Sequence, residues 1–329
     1  MSKYQVVGIG NAVSDVISHA DDTFLDHMGI EKGIMQLVER DRAGVLYAAM
    51  QDRTETPGGS VANTLAGLGT LGVKTAFIGR VADDAIGRRY AEVTQSEGTD
   101  FPNPPVTDAA LPTSRSMIFV SPDGERSMNT YLGISQDVSP ADVDPDVAGD
   151  CDVLFLEGYL FDKDPGKEAF FKAADLARAA GARAGISLSD PFCVDRHRAD
   201  FRALISGPMD YVICNEDELK SLYQTDDLDT VLAAASEECG LVVCTRSGDG
   251  VAIQAGGERT DVPVVSVVPV DSTGAGDQFA AGFLYGLTTG HDMETCGRMG
   301  CIAAGEVISH IGPRPEADLY ALFRKAGLV

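Results

Sequence analysis

The sequence predicts an α/β fold: a mostly parallel sheet with helices on both faces, plus a second, small β-sheet beside it. Three observations predict this. Short continuous apolar runs recur along the chain, helical stretches with start and stop signals lie between them, and two stretches break that alternation. A chain of 329 residues suffices for one large α/β unit or for two domains.

The runs YQVVGIG (4–10), VKTAFIG (73–79), DVLFLEG (152–158), YVICN (211–215) and LVVCT (241–245) are rich in Val, Ile and Phe, as strands covered on both faces must be. A helix starts near Ser60 and runs through VANTLAGLGTLG. Another opens at Asp164 and Pro165, continues through the periodic FFKAADLARAA, and stops at Gly181. NEDELKSLY from Asn215, DDLDTVLAAASEECG with Gly240 as its stop, and METCGRMGCIAAGEVI after Asp292 are further helices. In the two exceptional stretches, AVSDVISHA and GIMQLVE look strand-like, while TSRSMIFV and RSMNTYL flank SPDGE. Pro122, Asp123 and Gly124 supply the turn of that hairpin. The proline-rich FPNPPV (101–106) has the composition of a linker that hinges the small sheet. On this division the large part takes about 1–11, 57–105 and 136–329, and the small part about 12–56 and 106–135.

With 26 Lys and Arg against 50 Asp and Glu, the formal charge is -24. Such a chain repels polyanions, and no basic cluster offsets this, which argues against nucleic acid and membrane surfaces as partners. An anionic small molecule remains compatible, because oriented backbone N–H groups reverse the potential inside a cleft. The seven cysteines, an odd number set mostly in apolar runs without a C-x-x-C pair, fit reduced core residues. The five histidines are scattered, so no structural zinc is indicated. The N-terminus lacks a secretory pattern and no apolar run matches a bilayer, so a cytoplasmic protein is expected.

Gly8-Ile9-Gly10 follows the first strand, but the third glycine of a dinucleotide fingerprint falls on Val13, and no P-loop motif is present. The strongest local signal is DSTGAGDQFAAGFLYGL (271–287). Gly274, Ala275 and Gly276 expose N–H groups at a helix start, an anion hole suited to the charge on a transferred phosphoryl group. Asp277 in the first turn is either a general base for a substrate hydroxyl or a helix-dipole partner. In TPGGSVANTLAGLG (56–69), Gly58 and Gly59 let backbone approach a ligand, and Asn63 either binds that ligand or satisfies backbone.

GGSVAN followed by LGTLGVKTAFIGRVADDAIG, and DSTGAGDQFAAGFL near the C-terminus, together resemble the two signatures of the PfkB (ribokinase-like) kinase family. The resemblance covers essentially the whole chain. It implies a ribokinase-like fold with a small β-sheet lid, and an ATP-dependent phosphotransferase acting on a sugar or nucleoside hydroxyl. Asp277 matches the family's base, and Gly274 to Gly276 its anion hole. Asn215 and Glu218 resemble the N-x-x-E motif that organises Mg2+ and phosphates through water, and they equally form a helix-capping pair. TRSGDG (245–250) resembles the nucleotide loop, with Thr245, Gly248 and Gly250 as ATP contacts. Ser247 replaces the usual first glycine, and a plain hairpin turn fits the segment as well. Potassium is a further cofactor that the resemblance allows.

Among family members the chain is most similar to adenosine kinases, through GNAVSDVI, GGSVAN, SPDGERSMNTYLG, EGYLFD and SLSDPFCV in matching order. Where ribokinases carry Lys after GG, Ser60 stands here. The resemblance implies that Asp15 and Asn63 hold the ribose diol and that Phe192, with Leu160 or Tyr159 opposite, packs on the purine. Asp15 also suits a turn, and each aromatic residue also suits a core. Arg126 is either a lid cation over the γ-phosphate or a surface arginine at a hairpin turn. The expected substrate is adenosine, with ribose, fructose or 2-keto-3-deoxygluconate as the sugar alternative and a catalytically silent nucleoside-binding protein as a remote one. Monomer and homodimer both fit, an apolar outer face on the small sheet being the dimer surface.

Overall fold

A computed structural model describes residues 2–329. Its strands are β1 (Tyr4–Ile9), β2 (Val13–His19), β3 (Met35–Leu37), β4 (Thr54–Gly58), β5 (Thr75–Ile78), β6 (Thr99–Asp100), β7 (Ser114–Val120), β8 (Arg126–Tyr131), β9 (Cys151–Glu157), β10 (Arg183–Ser187), β11 (Tyr211–Asn215), β12 (Leu241–Thr245), β13 (Val251–Ala255) and β14 (Glu258–Val262). Its helices are α1 (Asp22–Met28), α2 (Arg40–Ala49), α3 (Ser60–Thr70), α4 (Ala85–Ser96), α5 (Pro145–Ala148), α6 (Asp164–Ala179), α7 (Pro191–Ile205), α8 (Glu216–Tyr223), α9 (Leu228–Glu238), α10 (Ala275–Thr288), α11 (Met293–Val307) and α12 (Leu319–Lys325).

The large sheet has the order β14-β13-β12-β11-β10-β9-β1-β5-β6. All neighbours from β12 to β6 are parallel, and β13 and β14 add an antiparallel edge. The five apolar runs are β1, β5, β9, β11 and β12, and β10, inserted between β9 and β11, is a central strand that none of the runs announces. One face packs on α6, α7, α8 and α9 through Phe161, Phe170 and Phe201; the other packs on α3, α10 and α11 through Leu65, Phe279 and Phe283. A parallel sheet presents the C-terminal ends of its strands to one rim, the usual ligand crevice of such folds. The loops after β9, β10, β11 and β12 gather there.

The small sheet has the order β3-β8-β7-β2-β4, with the β7–β8 hairpin turning at 121–125. Val16, Met117, Phe119 and Tyr131 of one face pack against Leu25 of α1 and Leu46 of α2. Helix α1 lies in the stretch from which only strands were expected, and α2 follows it. Asp21 caps α1 by accepting from Phe24 N–H, and Gly29 ends it in the left-handed region. The face considered for a dimer is therefore covered by the chain's own helices. The segment 101–106 is tied down rather than a free linker: Phe101 packs on Phe77 and Tyr90, and Val106 exchanges backbone hydrogen bonds with Val81 and Asp83. All seven cysteines are free and buried.

Candidate active site

Gly274 takes φ 79° and acts as the N-cap of α10, which only glycine adopts without strain there; a side chain would also meet Pro313 Cα at 2.6 Å. The N–H of Ala275 is bonded to Ser272 O at 3.2 Å, so Ala275 offers no free donor. Among the described residues the N–H groups of Gly274, Gly276 and Asp277 have no protein acceptor, so the start of α10 presents free donors of the kind that suit an anion.

Asp277 stands in this first turn, held from α3. Ser60 Oγ donates to its Oδ1 at 2.7 Å and Asn63 Nδ2 to its Oδ2 at 3.1 Å. Burial raises the Asp277 carboxyl to about 6, while Ser60, Asn63 and the charge of Arg314 hold it down. Asn63 is thus engaged with Asp277 through its amide nitrogen. Its position is set by Gly59, whose φ of 103° starts α3 against Asn11 O.

Asp15 comes from the cleft-facing row of the small sheet, beside Thr56 and Ser116 in register and against Gly58, where a side chain would clash with its carboxylate. It has no hydrogen-bond partner among the described residues, and burial pushes it up to about 7, opposed by the charges of Arg314 and Arg126. Arg126 is not a surface arginine. One of its terminal nitrogens lies 2.9 Å from Asp271 Oδ2, both side chains are buried, and its Nε and Nη1 have no partner. A polar cleft of about 340 Å3 lies beside this pair, between the β7–β8 hairpin and Val270 to Thr273.

Phe192 is 73% exposed on the first turn of α7, an uncovered apolar ring at the rim. Leu160 does not face it: its side chain is 1% exposed in the core between the large sheet and α6, because the turn Gly158–Asp162 points it inward. Tyr159 is the residue at the rim, its hydroxyl donating to Ser189 O at 3.1 Å. Burial raises its pKa well above the usual value, and the charges of Asp190, Glu218, Glu157 and Asp277 add to this.

Asn215 and Glu218 form a reciprocal capping box at α8: Glu218 N–H donates to Asn215 Oδ1, while Asn215 N–H and Nδ2 donate to the two oxygens of Glu218. Burial pushes Glu218 up to about 7. Thr245 Oγ1 donates to Cys214 O at 3.3 Å, and residues 246–250 are the tight β12–β13 connection, with Ser247 at φ 47° in the place of the expected glycine. Gly248 is open, and Gly250 packs against Val262 and Pro263. Those two residues border an apolar groove of about 530 Å3 with Val264, Val265, Cys301 and Ile302.

Three site residues had no place in the sequence reading. Ser60 was noted as a helix start and as a replacement for lysine, without a role at the site. Glu157, at the C-terminal end of β9, accepts from Asn11 N–H, Asn11 Nδ2 and Val61 N–H, clamps β1 and α3 together, and is raised by burial to about 7. Arg314 reaches the Asn63 amide from the segment before α12. Proximity in sequence signals none of these contacts.

A family model described as pfkB family carbohydrate kinase matches residues 30–318. A crystal structure of a probable sugar kinase protein from Rhizobium etli is 44% identical with TM-score 0.92, covering all of both chains. The structure of adenosine kinase from Sinorhizobium meliloti is also 44% identical, with TM-score 0.91, covering 99% of this chain and 100% of that one. A protein of Archaeoglobus fulgidus named uncharacterized sugar kinase is 30% identical over 75% of this chain and 96% of its own length.

Proposed function

Since the chain belongs to the pfkB family of carbohydrate kinases, and is thereby a phosphotransferase to an alcohol acceptor, we propose that it phosphorylates the 5′-hydroxyl of adenosine with ATP to give AMP and ADP, as in purine salvage in the cytoplasm. The observation that carries the chemistry is the Asp277 carboxylate, held by Ser60 and Asn63 beside the free N–H groups of Gly274 and Gly276. With its carboxyl near 6, Asp277 is mostly ionised at neutral pH and accepts the acceptor's proton as the oxygen attacks. The N–H groups at the start of α10 stabilise charge on the phosphoryl group in flight, and the free Nε and Nη1 of Arg126 reach it from the small sheet, which acts as the lid.

Asp15, with no partner of its own, takes the ribose diol. The exposed Phe192 ring packs on the purine, with Tyr159 beside it. The ATP base fits the apolar groove beside Gly250. Among the described residues no group of three or more His, Cys, Asp or Glu side chains could cage a metal. That suits Mg2+ carried mainly by phosphates and water, with Glu218 reached through water from its capped position. When bound, the ion neutralises phosphate charge.

Similarity to proteins named sugar kinases supports a second reading, in which the same Asp277 serves a free sugar. ADP release from MgATP with adenosine, inosine, guanosine, ribose, fructose and 2-keto-3-deoxygluconate decides between them. Turnover with adenosine and none with free sugars is expected; turnover with a sugar alone would replace the acceptor and leave the base.

A further inference from the structure

Asn63 has two amide orientations of nearly equal shape, and only one of them serves Asp277. With Nδ2 toward the carboxylate it donates at 3.1 Å; turned over, it would set Oδ1 against a negative charge. The other end of the amide decides. Arg314 Nε lies 3.4 Å from Asn63 Oδ1, and a guanidinium nitrogen can only donate. The guanidinium is held on its far side by an ion pair with Glu97. Its chain segment is pinned as well: Gln278 Nε2, from α10, donates both to Pro313 O at 3.0 Å and to Asn63 O at 2.9 Å.

Resting on Asp277 as proton acceptor, we propose that Arg314 is a positioning residue that fixes the Asn63 amide and, through it, the Asp277 carboxylate. Arg314 touches no reacting atom. It forbids the unproductive amide orientation and supplies a positive charge to a crowded acidic site. The other groups that act on or feel Asp277 are neutral donors or acids: Ser60 and Asn63 on α3, Asp15 on β2, Glu157 at the end of β9, and Tyr159 after it.

The test is the pH profile of kcat/KM for Arg314→Met, with kcat and acceptor KM measured separately. The expected result is a kcat reduced about tenfold at pH 7, acceptor KM changed by less than about twofold, and the acid limb moved upward by about one pH unit. Arg314→Lys should return the acid limb toward its original position, since charge and a donor are both restored. A folded Arg314→Met with an unmoved acid limb overturns the proposal, as does a change confined to KM. If Arg314→Met does not fold, Arg314→Gln takes its place: it keeps an N–H donor without charge, and an unmoved limb there is equally fatal. Asp277→Asn run in parallel separates the two layers. An active Asp277→Asn removes the base assignment itself, whereas an inactive one beside an unmoved Arg314→Met limb removes only the role of Arg314.

Discussion

The guanidinium of Arg126 lies 2.9 Å from the carboxylate of Asp271, and both side chains are almost sealed from solvent. The pair joins β8 of the small sheet to the first residue of the motif that leads into α10. Asp271 also accepts from Thr273 N–H and Gly312 N–H, so one carboxylate ties three segments together.

Arg126→Met removes the ion-pair partner of the buried Asp271 and takes away donors beside the free N–H groups that open α10. Urea unfolding should show a loss of about 3 kcal/mol, and turnover should fall about 10²-fold. Adding Asp271→Asn should restore most of the stability without restoring turnover. Recovery of both together would assign Arg126 a purely structural part.

Asp277 must be ionised to accept a proton, and burial places its carboxyl near 6. With saturating ATP, kcat/KM should therefore decline below about pH 6, approaching a tenfold loss per unit. Asp277→Asn should fold, bind nucleoside and turn over roughly 10³-fold more slowly. A profile flat from pH 5 to 7 would sink the role of Asp277.

Asp15, Glu157 and Glu218 are each pushed up to about 7 by burial. A carboxyl raised in the folded state contributes stability that is full below its unfolded pKa, near 4, and is lost as pH rises through about 7. Self-repulsion of a chain with charge -24 grows in the same direction. The urea midpoint should be higher at pH 5 than at pH 8. Asp15 gains no hydrogen bond from being charged, so Asp15→Asn should raise the midpoint at pH 8 while acceptor KM rises at least about tenfold. A lower midpoint in Asp15→Asn would mean that its charge has a partner the fold relies on.

Phe192 separates recognition from stability because its ring is already in water. Phe192→Ala should leave thermal unfolding within about 0.5 kcal/mol of the parent and raise adenosine KM by roughly tenfold. Unchanged KM would remove Phe192 from the purine site.

Legibility in the sequence follows the range of the forces involved. Five of the seven parallel strands of the large sheet, the α3, α6 and α10 helices and the 121–125 turn are written in local periodicity and turn chemistry, and they were readable; β6 and β10 were not. The Asn215–Glu218 box was readable because its partners are three residues apart. Ser60, Asn63 and Arg314 were not assembled, because their contacts span more than 200 residues and only the folded sheet brings α3, α10 and the C-terminal segment together. Leu160 was misplaced for a related reason: one residue's difference along the turn Gly158–Asp162 exchanges rim for core. The helix α1 was missed where strand-like runs dominated the pattern, and α2, α4, α7 and α12 were not read from the sequence either.

The helices α1 and α2 give the small sheet a core of its own, with Val16, Met117, Phe119 and Tyr131 already spoken for by Leu25 and Leu46. A second copy has no bare sheet face on that side to stack against. Catalysis should then be first order in protein down to high dilution, with specific activity unchanged across the range in which a weak dimer would fall apart.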